Sequence, residues 1–289
     1  MSKGMLLLLL TVARSNHLRL PFDDIVIFSQ TWEGHLTHLE DIFHRLSTAK
    51  LHIKPSKCRC ACYYVKYLGH SFGQGQRTPG ELKVQAMKDF LTPTNKPQIR
   101  AFMGLAGCYR KYIPEFSVIS TPLTNLLKGR CRKSIIEWNS SCQKAFEELK
   151  EKLSKYPVLY SPNFSKQFII QCDASNLGIE VVLTQVSDND GEHPIMYLSK
   201  KFSSAEQKYS TTERECVAII YVVQKLKCYL DGKQKFVIQT DHNPLVWLEK
   251  NSGTIPRLLR WALILQSFNY EIVRKGKQHQ DADSLSRIP

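Results

Sequence analysis

Two stretches in the last third of the chain share one form, a short apolar run that ends in an aspartate. Residues 168–173 (FIIQCD) and 236–241 (FVIQTD) are rich in aromatic and β-branched residues, which favour strands. Between them, residues 210–213 (STTE) have the form of a capping box, which predicts that a helix begins there. The pattern predicts strands and a helix that carry acidic residues near their ends.

The acid in the predicted helix is Glu215, one helical turn before Ile219 and on the apolar face. A buried carboxylate destabilises a fold unless it is paired or holds a metal. If several such acids converge, their oxygens suit two magnesium ions, the arrangement that clamps both reacting oxygens of a phosphodiester. The chain has four candidate acids: Asp173, Glu215, Asp241 and Asp283.

The residues around these acids resemble the four motifs of retroelement ribonuclease H. They read QCDASNLG at 171–178, ERECVA at 213–218, QTDH at 239–242 and ADSLSR at 282–287. Their order and spacing resemble the reverse transcriptase–ribonuclease H polyproteins of Ty3/gypsy-type retrotransposons, over about residues 21–289. The resemblance implies an α/β (α+β overall) chain whose C-terminal ribonuclease H-like fold has a mixed sheet flanked by helices. It also implies that the four acids are catalytic and bind two Mg²⁺ or Mn²⁺ ions.

The activity implied is metal-dependent hydrolysis of the RNA strand in an RNA–DNA hybrid. Two residues depart from the family pattern: Glu180 replaces a small residue on the strand beside Asp173, and His279 stands where an Asn is common. An extra carboxylate beside Asp173 would raise neighbouring pKa values or crowd the metals. The alternative is therefore a catalytically silent retrotransposon remnant that binds nucleic acid.

The first part of the chain divides into an unmatched segment, 1–20, and a truncated reverse transcriptase palm, 21–72. Residues 21–29 (PFDDIVIFS) resemble the hairpin that presents two metal-binding aspartates in polymerases, here Asp23 and Asp24, with Pro21 in place of a Tyr. Nucleotide addition needs a third carboxylate, and residues 1–20 contain no Asp or Glu. We expect a relic site, and therefore no polymerisation by this chain alone.

Residues 73–155 resemble the thumb and connection, and residues 156–289 form the predicted ribonuclease H-like domain. The segment 96–112 resembles the helical signature of the thumb. Its candidate contacts to nucleic acid are Arg100, Tyr109, Arg110 and Lys111. Such contacts would position a duplex without reading its sequence. The alternative is a solvated basic helix whose aromatic residues lie in the core.

The net charge of +14 favours a polyanionic partner, with an RNA–DNA hybrid or another nucleic acid as the first candidate. Nine scattered Cys residues without a disulfide framework suit an intracellular compartment, either cytoplasm or nucleus. The apolar run at residues 5–10 is too short to span a membrane. A signal peptide or unrelated sequence would also account for that run.

Overall fold

The structure, a computed structural model, describes nine parts of the chain: residues 6–13, 24–29, 31–128, 136–155, 157–187, 191–231, 234–240, 248 and 256–274. The chain divides into two compact units, Met1–Val84 and Gln85–Pro289. Each unit has its own architecture and is described by itself.

The first unit is built mainly from strands. Its elements are β1 (Leu6–Ala13), β2 (Asp24–Ser29), α1 (Trp32–Thr48), β3 (His52–Ile53), β4 (Arg59–Cys62), β5 (Tyr64–Tyr67), β6 (His70–Gly73) and β7 (Gln76–Pro79). Strand β1 pairs antiparallel with β2, β3 and β4, and β5, β6 and β7 form an antiparallel meander. The apolar N-terminal run is therefore a strand that pairs within a sheet, and not a segment separate from the fold.

Helix α1 begins directly after its N-cap residue, Thr31. The Thr31 hydroxyl accepts a hydrogen bond from the Gly34 N–H at 3.1 Å, which satisfies a donor of the first turn. Leu46 of this helix packs with Ile27 of β2 in a small core. Helix α2 (Glu81–Lys88) then runs across the division between the two units.

The second unit begins with helices and continues with a sheet. Its helices are α3 (Lys96–Cys108), α4 (Phe116–Ile119), α5 (Thr121–Leu126), α6 (Ser140–Ser154), α7 (Thr211–Lys225), α8 (Lys227–Leu230) and α9 (Pro256–Gln266). Its strands are β8 (Leu159–Tyr160), β9 (Ile169–Ala174), β10 (Gly178–Val186), β11 (Glu192–Lys201), β12 (Phe236–Thr240) and β13 (Tyr270–Arg274).

Five of these strands form one mixed sheet in the order β11-β10-β9-β12-β13. Strands β9, β10 and β11 are an antiparallel meander, whereas β12 lies parallel to both β9 and β13. Helices α7 and α9 contribute to the core on the face that carries Ile170 and Cys172 of β9. The predicted mixed sheet with flanking helices is confirmed.

The helices α3 to α6 enclose a second core. Phe102, Leu123 and Leu149 are fully buried there, and the Phe102 and Phe146 rings have their centroids 4.6 Å apart. The 3-10 turn Arg110–Tyr112 and helix α4 contact strand β11 of the sheet. Helices α3 to α6, called the thumb-like helices below because residues 73–155 resemble a thumb and connection, thus pack with the sheet as parts of one unit.

Candidate active site

Asp173 is the last but one residue of β9 and lies on the opposite face from Cys172, because side chains alternate along a strand. Strand β9 pairs in parallel with β12, with Gln171 level with Gln239. Asp173 is two residues beyond this pair, and Thr240 is one residue beyond it. Asp173 and Thr240 therefore lie at the same end of the sheet.

Glu215 reaches the same end of the sheet from helix α7. Its side chain is buried, with 5% exposed, and the Thr240 hydroxyl donates a hydrogen bond to its Oε2 atom at 3.4 Å. Thr240, itself 1% exposed, ends the described part of β12. The structure thus holds Glu215 of α7 at the end of β12, the strand that lies beside β9 and its Asp173.

The other two predicted acids, Asp241 and Asp283, lie outside the described residues, and so does His279. Within the described part of the chain, no three His, Cys, Asp or Glu side chains stand close enough together to hold a metal. The four-acid cluster therefore remains a prediction, of which two members are located. The carboxylate oxygens of these two members are donors that suit magnesium or manganese.

The start of α7 is fixed by the predicted capping box. The Ser210 hydroxyl accepts from the Glu213 N–H at 3.3 Å, and the Glu213 carboxylate accepts from the Ser210 N–H at 3.0 Å. Glu213 also pairs with Arg257 of α9, whose guanidinium lies over the Tyr209 ring, 4.2 Å from its centroid. These contacts hold the turn that carries Glu215.

Two residues that sequence reasoning missed support the site. Thr240 binds Glu215, and Arg214 donates to the turn that follows Asp173. The only sequence signals for them are their positions directly before Asp241 and Glu215. Position alone does not show which partner a side chain reaches.

Glu180 stands directly across from Asp173, and Ser199 stands across from Glu180 on the next strand. The three side chains share the sheet face that is opposite the Cys172 side. Glu180 Oε2 accepts a hydrogen bond from the Glu115 N–H at 2.9 Å, and Oε1 is buried with no hydrogen-bond partner among the described residues. The extra acid is therefore held by the segment before α4.

The pKa of Glu180 is raised to about 8, mainly by burial and also by the negative charges of Glu115 and Asp173, while the hydrogen bond from the Glu115 N–H opposes the shift. Burial also raises the pKa of Glu115, which Lys152 partly offsets. A carboxyl with this pKa is mainly protonated at neutral pH. Glu180 then adds little negative charge beside Asp173. The electrostatic repulsion between the two carboxyl groups that the sequence led us to expect is therefore small.

The four candidate nucleic-acid contacts differ in exposure. Arg100 and Arg110 are exposed, and Lys111 is half-buried. Tyr109 is only 4% exposed, and its ring lies 6.1 Å from that of Tyr112 in the helical core. The structure places Tyr109 in the core, as in the alternative that the sequence left open, so its ring is not presented to a bound duplex.

Comparison with known proteins places these features in a family. Residues 163–268 match the RNase H-like domain found in reverse transcriptase, and residues 9–72 match the reverse transcriptase (RNA-dependent DNA polymerase) family. The retrovirus-related Pol polyprotein from transposon 297 of Drosophila melanogaster is 36% identical over 275 residues, which cover 95% of this chain and 25% of that protein. The transposon Tf2-3 polyprotein of Schizosaccharomyces pombe is 35% identical, over 96% of this chain and 21% of that protein.

The chain belongs to the reverse transcriptase–ribonuclease H polyproteins of Ty3/gypsy-type retrotransposons. It spans about a quarter of the length of these retrotransposon relatives. The reverse transcriptase match begins at residue 9, within the segment 1–20 that motif comparison left unmatched. Strand β1 therefore lies largely within the matched region.

Solved structures agree with this retrotransposon assignment at the level of the fold. The foamy viral protease-reverse transcriptase in complex with RNA/DNA hybrid superposes with a TM-score of 0.77 at 22% identity, over 92% of this chain and 36% of that chain. The same protein in complex with double-stranded DNA gives 0.74, over 88% of this chain and 54% of that chain. In the described part of the retrotransposon chain, no helix is long and apolar enough to cross a membrane.

Proposed function

We propose that the C-terminal domain, residues 156–289, is a metal-dependent ribonuclease that hydrolyses the RNA strand of RNA–DNA hybrids. The observation that carries the proposal is that Asp173 of β9 lies at the same end of a ribonuclease H-like sheet as Thr240 of β12, whose hydroxyl binds the buried Glu215. A buried carboxylate such as Glu215 is stable when it is hydrogen-bonded or binds a cation. Thr240 supplies one such hydrogen bond, and a bound cation would be a further partner for the carboxylate.

In this proposal, Asp173, Glu215, Asp241 and Asp283 hold two Mg²⁺ or Mn²⁺ ions. When bound, such ions supply an activated water molecule and stabilise the leaving 3′ oxygen. All four carboxylates would serve as oxygen ligands, and Asp173 and Glu215 are the two that lie within the described residues. Thr240 orients the Glu215 carboxylate, and the protonated carboxyl of Glu180 keeps the number of negative charges beside Asp173 low.

Binding of the hybrid is assigned to the basic surface of the thumb-like helices. Arg100 and Arg110 are exposed and available to phosphates, which position a duplex irrespective of its sequence. Preference for RNA in the cleaved strand would come from contacts to 2′-hydroxyl groups and from groove shape. The net charge of +14 supports binding of a polyanion of either kind.

Cleavage of a hybrid with a labelled RNA strand tests the proposal. The purified chain is incubated with Mg²⁺ or Mn²⁺ beside two matched variants, Asp173→Asn and Glu215→Gln, which remove charge and keep shape. Cleavage by the wild type and its loss in both variants supports the nuclease. An intact RNA strand with folded, metal-supplied wild-type protein overturns it, and binding of the hybrid without cleavage then becomes the function to measure.

We also propose that this chain does not extend primers by itself. Asp24 is the first residue of β2, Asp23 lies outside the described residues, and residues 1–20 supply no third acid. Primer extension on an RNA template by this chain alone, abolished by Asp24→Asn, would contradict the proposal.

A further inference from the structure

Three consecutive residues at the start of α7 contact three different elements. Glu213, Arg214 and Glu215 each bind a partner outside the helix. Their partners are, in order, Arg257 of α9, Ser175 and Asn176 between β9 and β10, and Thr240 of β12. The turn of helix that carries Glu215 is thus tied to its surroundings on three sides.

The contact of Arg214 reaches the turn that begins two residues after Asp173. Its Nη1 atom donates to the Ser175 carbonyl oxygen at 3.4 Å and to Asn176 Oδ1. The Nε atom is buried and has no hydrogen-bond partner among the described residues. The guanidinium is therefore turned toward the protein, since its planar fork fixes the direction of all its donors together.

The turn that receives Arg214 is itself held in one conformation. The Ser175 hydroxyl accepts from the Leu177 N–H at 3.2 Å and from the Gly178 N–H at 3.1 Å. The Ser175 N–H donates to the Gly178 carbonyl at 3.0 Å, and Phe202 N–H donates to the Leu177 carbonyl at 3.0 Å. Arg214 thus docks on a turn that is already fixed to β9, β10 and the end of β11.

We propose that Arg214 is a positioning residue for the carboxylate site. It joins the turn two residues after Asp173 to the helix residue next to Glu215, and so sets the separation of these two acids. The inference rests on the proposed nuclease function, because the separation matters for Mg²⁺, which demands near-ideal octahedral geometry. Residues that orient metal ligands typically change metal affinity or activity by about 10- to 100-fold when they are removed.

The test compares Arg214→Met, Arg214→Lys and Asn176→Ala with the wild type, and Arg260→Met of α9 serves as the exposed control. Calorimetry measures Mn²⁺ binding, and steady-state cleavage separates kcat from KM for the hybrid. We expect Arg214→Met to weaken Mn²⁺ binding by about 10-fold or more and to lower kcat, with KM changed less than about 2-fold. Arg214→Lys is expected to restore Mn²⁺ binding only in part, because the ammonium keeps the charge but lacks the planar guanidinium that fixes the direction of its donors.

Asn176→Ala gives a smaller loss in the same direction, because the Ser175 carbonyl still binds Arg214. Combined with Arg214→Met it adds nothing, as expected when both substitutions remove one shared contact. Unchanged Mn²⁺ affinity in Arg214→Met overturns the inference, and so does an effect on KM alone, which would indicate a direct contact to the hybrid. If Arg214→Met fails to fold, Asn176→Ala decides, because it alters only an exposed side chain.

Amide chemical shifts measured by NMR in EDTA test this inference independently of the proposed nuclease activity. A wild type that binds no Mn²⁺ and cleaves nothing contradicts the nuclease. In that case Arg214→Met still tests whether Arg214 joins the turn to α7. If it does, the substitution should shift the amide signals of residues 175–178 and of Glu215 together. Shifts confined to α7 would show that Arg214 does not couple the two elements.

Discussion

The Glu115 N–H donates a hydrogen bond to Glu180 Oε2 at 2.9 Å, which joins the segment before α4 to the central strands of the sheet. Glu115 has a left-handed backbone conformation, with φ of 57°, directly before helix α4. The pair is 65 residues apart in sequence. An acid that departs from the family pattern thus fastens the thumb-like helices to the sheet.

We expect Glu180 to make stability depend on pH. Its folded pKa of about 8 exceeds the value of about 4.3 for an unfolded glutamate, so the folded state binds more protons between these values. Stability from this group therefore falls as pH rises from about 4 and is lost above about 8. Denaturation of the wild type and Glu180→Gln in EDTA, at pH 5, 7 and 9, measures the difference. Parallel curves for the two proteins would contradict the assigned pKa.

A second contact between the same segments is expected to contribute to stability. The Ser117 N–H donates to Ser199 Oγ at 2.8 Å, and the two hydroxyls are 3.0 Å apart. Ser199→Ala leaves a partly buried N–H without its acceptor, so we expect the free energy of unfolding to fall by about 1–3 kcal/mol. Urea denaturation measures it, with exposed Ser204→Ala as the control. Equal stability of the two variants would show that the contact is not formed.

The cap of α7 is expected to follow the usual order of N-cap residues. Ser210→Ala removes the acceptor for the Glu213 N–H, so we expect a loss of about 1 kcal/mol, whereas Ser210→Gly loses only a few tenths. Thermal denaturation of both variants measures the difference. Ser210→Ala with wild-type stability would indicate that α7 is held by packing alone, independently of its capping box.

Binding of a hybrid is expected to depend on Arg100 and Arg110 but not on the hydroxyl of Tyr109. Each alanine substitution of an exposed arginine that contacts a phosphate weakens binding for all sequences and reduces the salt slope by about 1. Tyr109→Phe keeps the buried ring, so its affinity should equal that of the wild type. Fluorescence anisotropy at several salt concentrations measures both. A salt slope that is unchanged in both arginine variants would place the duplex elsewhere.

The sequence predicted the elements of the sheet closely because their patterns are local. Strand β9 was expected at 168–173 and spans Ile169–Ala174, and the helix expected to begin at the capping box 210–213 begins at Thr211. That helix is interrupted at Leu226, which caps α7 before α8, although its apolar spacing continues. Periodicity records which residues are apolar, and it does not detect a break that preserves the same buried face.

The site was less predictable because its contacts join distant parts of the chain. The sequence did not decide whether Tyr109 is exposed, because an aromatic residue beside basic ones is typical both of a nucleic-acid contact and of the core that it occupies. The sequence did not predict the environment of the Glu180 carboxyl, because its hydrogen-bond partner lies on a different element. The sequence did not predict the contact of Arg214 with Asn176, because only folding brings these two residues together. Motifs identified the two located acids, and folding determined their surroundings.

The chemistry of the RNA ends is the most direct measurement of the proposed function. A wild-type chain supplied with Mg²⁺ or Mn²⁺ should convert the RNA strand of a hybrid to fragments with 3′-hydroxyl and 5′-phosphate ends, because water attacks and the 3′ oxygen leaves. Asp173→Asn, purified in parallel, should yield none. An intact RNA strand with the folded wild type, or cyclic-phosphate ends that persist in Asp173→Asn, would contradict the account.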